Sequence, residues 1–186
     1  MDFKRFSSWL LYRRMRWETN VTVPLPRKFI ACVAPHTSNW DFIIGFLYMR
    51  AEGLRINFLM KHEWFVGPLA KLFRGLGGIP VWRETHSNLT ESLAREAAET
   101  DTFRLCITPE GTRSLNPDWK MGFYYIAAKA GLPILLYALD YERRVIECTM
   151  SVCPSGDVRE DMRRIKLYYK DVRAKHPENF TVGVIP

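Results

Sequence analysis

Apolar positions along this chain gather into short runs, and between the runs they space out to a helical period. Phe29 to Ala34, Ile56 to Met60, Ile79 to Trp82, Phe103 to Thr108, Pro133 to Leu139 and Val145 to Val152 are brief apolar stretches bounded by Gly, Pro or polar residues, the pattern of strands. Asp41 to Glu52, stopped by Gly53, reads as a helix, as does Met121 to Ala130, closed by Gly131. Ser87 to Glu99 is the clearest helix, with Ser87 as a candidate N-cap before a run rich in Ala, Leu and Glu. Trp64 to Leu76 has helical composition, but Gly67-Pro68 inside it kinks the helix or delays its start. Asp157 to Arg173 places Val158, Met162, Ile165, Tyr169 and Val172 on one face and Arg and Lys on the others. Strands alternating with helices predict an α/β domain built from βαβ units, with a central mixed, largely parallel sheet flanked by helices. No repeat, low-complexity tract or linker interrupts residues 1–186, so one domain is expected.

The first 20 residues carry a different pattern. Phe3, Phe6, Leu10 and Trp17 share one helical face, Arg13 and Arg14 flank it, and Asp2 is the lone acid among five basic residues up to Trp17. Arginines can snorkel beside an apolar stripe, and Trp with Arg favours the headgroup zone of a bilayer. Residues 1–20 are therefore read as an amphipathic membrane-contact helix, against the alternative of a helix docked on the domain's own core.

Composition narrows the picture. The chain has 186 residues, 47% hydrophobic and 25% charged, enough to bury a core and too apolar for disorder as the main state. Lys and Arg number 27 against 20 Asp and Glu, a net charge of +7. Such a surface suits an anionic membrane, an acidic carrier protein, a phosphorylated substrate or nucleic acid. No helix-turn-helix, zinc-finger or ribonucleoprotein signature is present, so nucleic acid is not expected as a partner. Four cysteines include no C-x-x-C pair, and Cys32 and Cys106 sit inside apolar runs, which reads as buried thiols in a reducing compartment rather than metal ligands. Apolar runs such as Phe29 to Pro35 and Phe42 to Met49 fall well short of the roughly 18 residues that span a bilayer. The expectation is a chain that lies on a membrane.

Two segments carry candidate chemistry. Between the first strand and the first long helix stands Pro35-His36-Thr37-Ser38-Asn39-Trp40-Asp41. A neutral imidazole accepts a hydroxyl proton at pH 7, and a carboxylate on its other nitrogen fixes the tautomer. On a continuous helix, positions five apart point about 140° away from each other. The pair can meet only if His36 lies on the turn and Asp41 in the first helical turn. Ser38-x-x-Asp41 is equally a capping box, with Asp41 serving the helix start alone. The second segment follows the strand ending at Thr108 and reads Pro109-Glu110-Gly111-Thr112-Arg113-Ser114. Gly111 permits close backbone approach, Thr112 offers a hydroxyl, and Arg113 offers the fork that suits phosphate. Arg83, after the strand ending at Trp82, could converge with Arg113 on one anion, since strand ends are where α/β sheets bind ligands.

Taken together these segments resemble the glycerolipid acyltransferase family that includes the 1-acylglycerol-3-phosphate acyltransferases. His36-x4-Asp41 is similar to its first block, Gly78 to Arg83 to its second, Glu110-Gly111-Thr112-Arg113 to its third and Leu132-Pro133-Ile134-Leu135 to the start of its fourth, in the family's order. Lys61-x-Glu63 and Lys120-x-Gly122 also look like family positions. One departure is Leu136, where the fourth block usually has a second proline. The resemblance implies His36 as general base and Asp41 as its holder, with Arg83, Glu110, Gly111, Thr112 and Arg113 positioning the acceptor head group and Lys61 and Lys120 as additional candidates. It implies transfer of a fatty acyl group from acyl-CoA or an acyl carrier protein to the hydroxyl of a lysophosphatidate-like acceptor in phospholipid biosynthesis. Another lyso-lipid acceptor is the alternative within the family, and a non-catalytic basic binding module is the alternative outside it. No metal or bound cofactor is implied, and the expected location is the cytoplasmic face of the inner membrane.

Overall fold

The structure, a computed structural model, describes residues 2–81 and 86–186, with the side chains of residues 86–88 left undescribed. The helices are α1 (Phe3–Ser8), α2 (Asn39–Ala51), α3 (Gly67–Gly75), α4 (His86–Glu99), α5 (Gly122–Ala130) and α6 (Val158–Tyr169). The strands are β1 (Glu18–Val21), β2 (Lys28–Ala34), β3 (Asn57–Lys61), β4 (Gly78–Val81), β5 (Phe103–Ile107), β6 (Ile134–Asp140), β7 (Val145–Cys148) and β8 (Ser151–Val152). They form one sheet in the order β1-β7-β6-β2-β5-β3-β4, with β8 also on β6. Strands β6, β2, β5, β3 and β4 run parallel, and β7 and β8 pair antiparallel with β6, so the sheet is mixed and mostly parallel as expected.

Period-two alternation in β2 and β6 separates two cores. Ile30, Cys32 and Ala34 face one side with Ile134, Leu136 and Ala138, where α4, α5 and α6 cover them. Phe29 and Ala31 face the other with Leu135, Tyr137 and Leu139, covered by α2 and the N-terminal segment. Strand β6 is buried along its whole length, which is why its sequence reads as one continuous apolar run.

Several expected boundaries move. Gly67 and Pro68 delay α3 rather than kink it: a single 3₁₀ turn at His62–Trp64 precedes it, and Pro68 sits in its first turn, where a missing N–H is harmless. The last helix stops at Tyr169, four residues short of the expected Arg173, because residues after it turn back across the sheet edge. The expected strand Val145 to Val152 is two short strands broken at Thr149 and Met150. The strand end Trp82 lies outside what the structure describes, and the candidate cap Ser87 is the second residue of α4, inside the helix rather than before it.

The N-terminal helix departs most from its expected geometry. It is α1 followed by a π-helical turn at Trp9–Arg14, and Arg16 at φ 58° ends it. Trp17 therefore leaves the helix and is buried with Leu11, and Ser7 is buried too, while Phe3 reaches Phe46 of α2 and Leu10 packs at the margin of the core. Phe3 and Trp9 stay half exposed. The wider π turn adds a residue per turn and rotates the stripe, which a regular helical period does not register. No helix among the described residues is long and apolar enough to cross a membrane.

Candidate active site

The parallel strands β6, β2, β5, β3 and β4 all end on one edge of the sheet, and the candidate residues sit in the turns that leave that edge. His36 follows β2 on the turn into α2, not on the helix. Ser38 is the N-cap of α2, with its side chain accepting from the Trp40 amide at 3.2 Å. Asp41 is the third helical residue and reaches back to accept the Thr37 and Ser38 amides on Oδ2, both at 2.7 Å. That same Oδ2 lies 3.4 Å from His36 Nδ1. The capping box and the imidazole contact are therefore one arrangement: the fold-back that caps the helix also points the carboxylate at the ring. At 3.4 Å the contact is an ion-pair distance, longer than a formed hydrogen bond. Asp41 is almost wholly buried while the His36 ring stays about one-fifth open, with Nε2 turned away from Asp41.

Glu110, at the end of the neighbouring β5, is buried and accepts the His36 amide on Oε1 at 2.8 Å. Its Oε2 has no hydrogen-bond partner among the described residues. Burial pushes the Glu110 carboxyl up from 4.5 to about 7, against the lowering pull of two backbone amides, its own and that of His36. The rest of that segment faces outward. Gly111 takes φ 66°, and a Cβ there would sit 3.2 Å from Cγ of Lys120. The Lys120 amide donates to the Pro109 carbonyl at 2.6 Å, so Lys120 borders the Glu110–Gly111 turn. Thr112 and Arg113 are exposed, and Arg113 donates to the Asn39 side chain in the first turn of α2, bringing it beside the His36 turn. Lys61 lies exposed at the end of β3, beyond β5 from His36. Arg83 lies outside the described residues, so its convergence with Arg113 is not shown.

Two contributions come from the far end of the chain. The Tyr141 hydroxyl donates to Asp41 Oδ1 at 2.5 Å, and the His176 amide donates to Thr37 Oγ1 at 3.2 Å. Neither belongs to a block legible in the sequence. Tyr141 had one available signal, its place at the end of a strand expected to join the parallel sheet.

The acyltransferase family model matches residues 18–139 of the chain. A comparison with curated proteins returns no match. Among solved structures, the chain is similar to the 1-acyl-sn-glycerophosphate (LPA) acyltransferase PlsC from Thermotoga maritima, at 20% identity over 88% of this chain and 73% of that one, with a TM-score of 0.56. At that identity the likeness is one of fold.

Proposed function

The chain belongs to the acyltransferase family, and from that premise we propose that it transfers a fatty acyl group from a thioester to the hydroxyl of a lysophosphatidate-like glycerolipid acceptor. The observation that carries this reading is the buried Asp41 carboxylate set against Nδ1 of a partly open His36 at the sheet's carboxyl edge. Nε2 of His36 takes the acceptor hydroxyl proton as the oxygen attacks the thioester carbonyl. A C–O bond forms, the C–S bond breaks, and the thiolate leaves with the proton that His36 returns. Asp41 holds the ring and stabilises the imidazolium between those steps. Arg113 and Thr112 at the rim, with Gly111 and the undescribed Arg83, take the acceptor phosphate, while Lys120 and Lys61 add positive charge along the same edge. Glu110 fixes the His36 backbone. The donor is acyl-CoA or an acyl carrier protein, and the chemistry asks for no bound cofactor.

We place the reaction at an anionic membrane surface, on the cytoplasmic face. Aromatic rings run from Phe3 to Phe46, Phe42 and Phe58, with Arg50 over the Phe3 and Phe46 rings. Beyond Phe58, α3 exposes Leu69 and Leu72 beside Lys71 and Arg74. Apolar side chains framed by cations match an anionic bilayer, and they extend the contact beyond residues 1–20.

Replacing His36 by Ala should lower acyl transfer by about 10²- to 10⁴-fold with the fold intact. Undiminished transfer would refute this mechanism and leave a binding module. Supplying CoA and carrier-protein thioesters with a panel of lyso-acceptors, and identifying products by mass spectrometry, tests the acceptor. Turnover confined to acceptors without phosphate would move the assignment to another lyso-lipid.

A further inference from the structure

We propose that Tyr141 is a positioning residue of this site, acting on His36 through the second oxygen of Asp41. The inference rests on the reading of His36 as general base. Tyr141 is the first residue after β6 and lies two positions beyond the segment that the family model matches. It is 100 positions from Asp41 in sequence, yet its hydroxyl donates to Asp41 Oδ1 at 2.5 Å.

The carboxylate is thereby held at both oxygens. Oδ2 takes the Thr37 and Ser38 amides and faces His36, and Oδ1 takes Tyr141. A carboxylate fixed on one oxygen alone can still swing the other. With Tyr141 on Oδ1, the plane of the carboxyl is set, and with it the direction of the lone pair offered to Nδ1. Tyr141 is itself fixed on three sides. Its ring meets Trp17 edge-on at 5.1 Å, its amide donates to the Arg173 carbonyl at 2.8 Å, and Lys175 Nζ lies 5.5 Å from its ring centre. Burial and the adjacent Asp41 carboxylate push the phenol well above its ordinary range, so it stays a donor throughout the working pH range. Such a clamp also has an electrostatic consequence. A hydroxyl donating to Oδ1 draws charge from the carboxylate and moderates its pull on the imidazolium.

Tyr141→Phe removes the hydroxyl and keeps the ring between Trp17 and Lys175. The loss frees Oδ1 and concentrates charge on the carboxylate, which then pulls harder on the imidazolium. Among the described residues, the charged groups facing the pair are Glu110 from the turn after β5, Lys175 from the C-terminal segment and Arg113 through Asn39. All three remain in the variant. Glu110 titrates in the same range in both proteins, so the displacement between the two profiles is the readout.

The experiment measures acyl transfer against pH for the full chain, for Tyr141→Phe and for His36→Ala, with thermal melts to verify folding. The expected result is an acid limb of kcat displaced upward by about half a pH unit or more, with kcat at the optimum lower by about tenfold and KM for the acceptor little changed. An acid limb that coincides with that of the unaltered protein overturns the proposal, whatever happens to kcat, because a purely structural tyrosine would lower activity without moving it. Transfer surviving in His36→Ala would instead remove the base on which this role depends, and so separates failure of the functional reading from failure of the Tyr141 role.

Discussion

Glu110 has two carboxyl oxygens, and among the described residues one of them has a hydrogen-bond partner. A buried carboxylate in that position is costly to keep charged, and its carboxyl accordingly rises from 4.5 to about 7. The folded state thus binds the Glu110 proton more tightly than the unfolded chain does. Stability from that proton is fully present below about 4.5 and is lost as the pH rises through about 7. The span between those values corresponds to an effect on the order of 3 kcal/mol. Glu110→Gln keeps an oxygen for the His36 amide and removes the titration. Urea unfolding between about pH 5 and pH 8 should show stability falling for the natural chain and level for the variant; parallel curves would acquit Glu110. Asp41 teaches a related lesson at the same scale. Helix cap and imidazole partner look like rival roles in sequence, but one carboxylate fills both, because the backbone must fold back to reach either.

At the scale of elements, the helices divide by how much apolar surface they bury. Helices α2, α5 and α6 each contribute buried side chains to a core, while α3 contributes none and leaves Leu69 and Leu72 exposed. An apolar helix face left exposed among the described residues suits the bilayer proposed above. Leu69→Ser with Leu72→Ser changes side chains already about half exposed, so stability should change by roughly 0.5 kcal/mol per site. Binding to vesicles containing anionic lipid should weaken by about tenfold or more, read by sedimentation. Unchanged sedimentation would confine the membrane contact to the N-terminal helix. There, the expected stripe of Phe3, Phe6, Leu10 and Trp17 is divided, with Trp17 buried and Phe3 half exposed. The π turn at Trp9–Arg14 sends Leu11 and Trp17 inward and leaves Phe3 and Trp9 outward.

At the scale of the molecule, the sheet order sets β2 between β6 and β5, so the turn at His36 has Tyr141 on one side and Glu110 on the other. Strand β6 is the hinge of this arrangement, because it joins the parallel strands to the antiparallel β7 and β8. Leu136 stands where the block pattern that the sequence resembles has a second proline, and the structure gives its residue type a physical reason. Its amide donates to the Met150 carbonyl at 3.1 Å, at the break between β7 and β8, a bond that proline cannot make. Its side chain is fully buried against the α4–α5–α6 face. Leu136→Ala should therefore cost about 2–5 kcal/mol in chemical denaturation, with transfer per folded molecule preserved. A loss of turnover without loss of stability would place Leu136 in substrate recognition instead.

The strands and helices around the site were legible in the sequence because their signals are local: alternation in β2, an unbroken apolar run in β6, Gly131 closing α5. The turn geometry at His36 was legible too, since five positions on a regular helix cannot bring the ring to Asp41. Glu110 was visible as a candidate, but its burial and its single partner were not, because both depend on which strand lies beside β5. The contacts of Tyr141 and His176 were not legible, since a contact across 100 or more positions leaves no trace in local spacing. Sequence by itself determined the alternating elements, the fold-back of Asp41 and the residue types offered for chemistry, all of which follow from neighbours along the chain. Tertiary structure alone decided the strand order, and with it which side chains meet: Tyr141 on Asp41, Glu110 under His36, Arg113 beside Asn39. Pairing of distant strands is chosen by burial of whole faces, and no stretch of chain carries that choice alone.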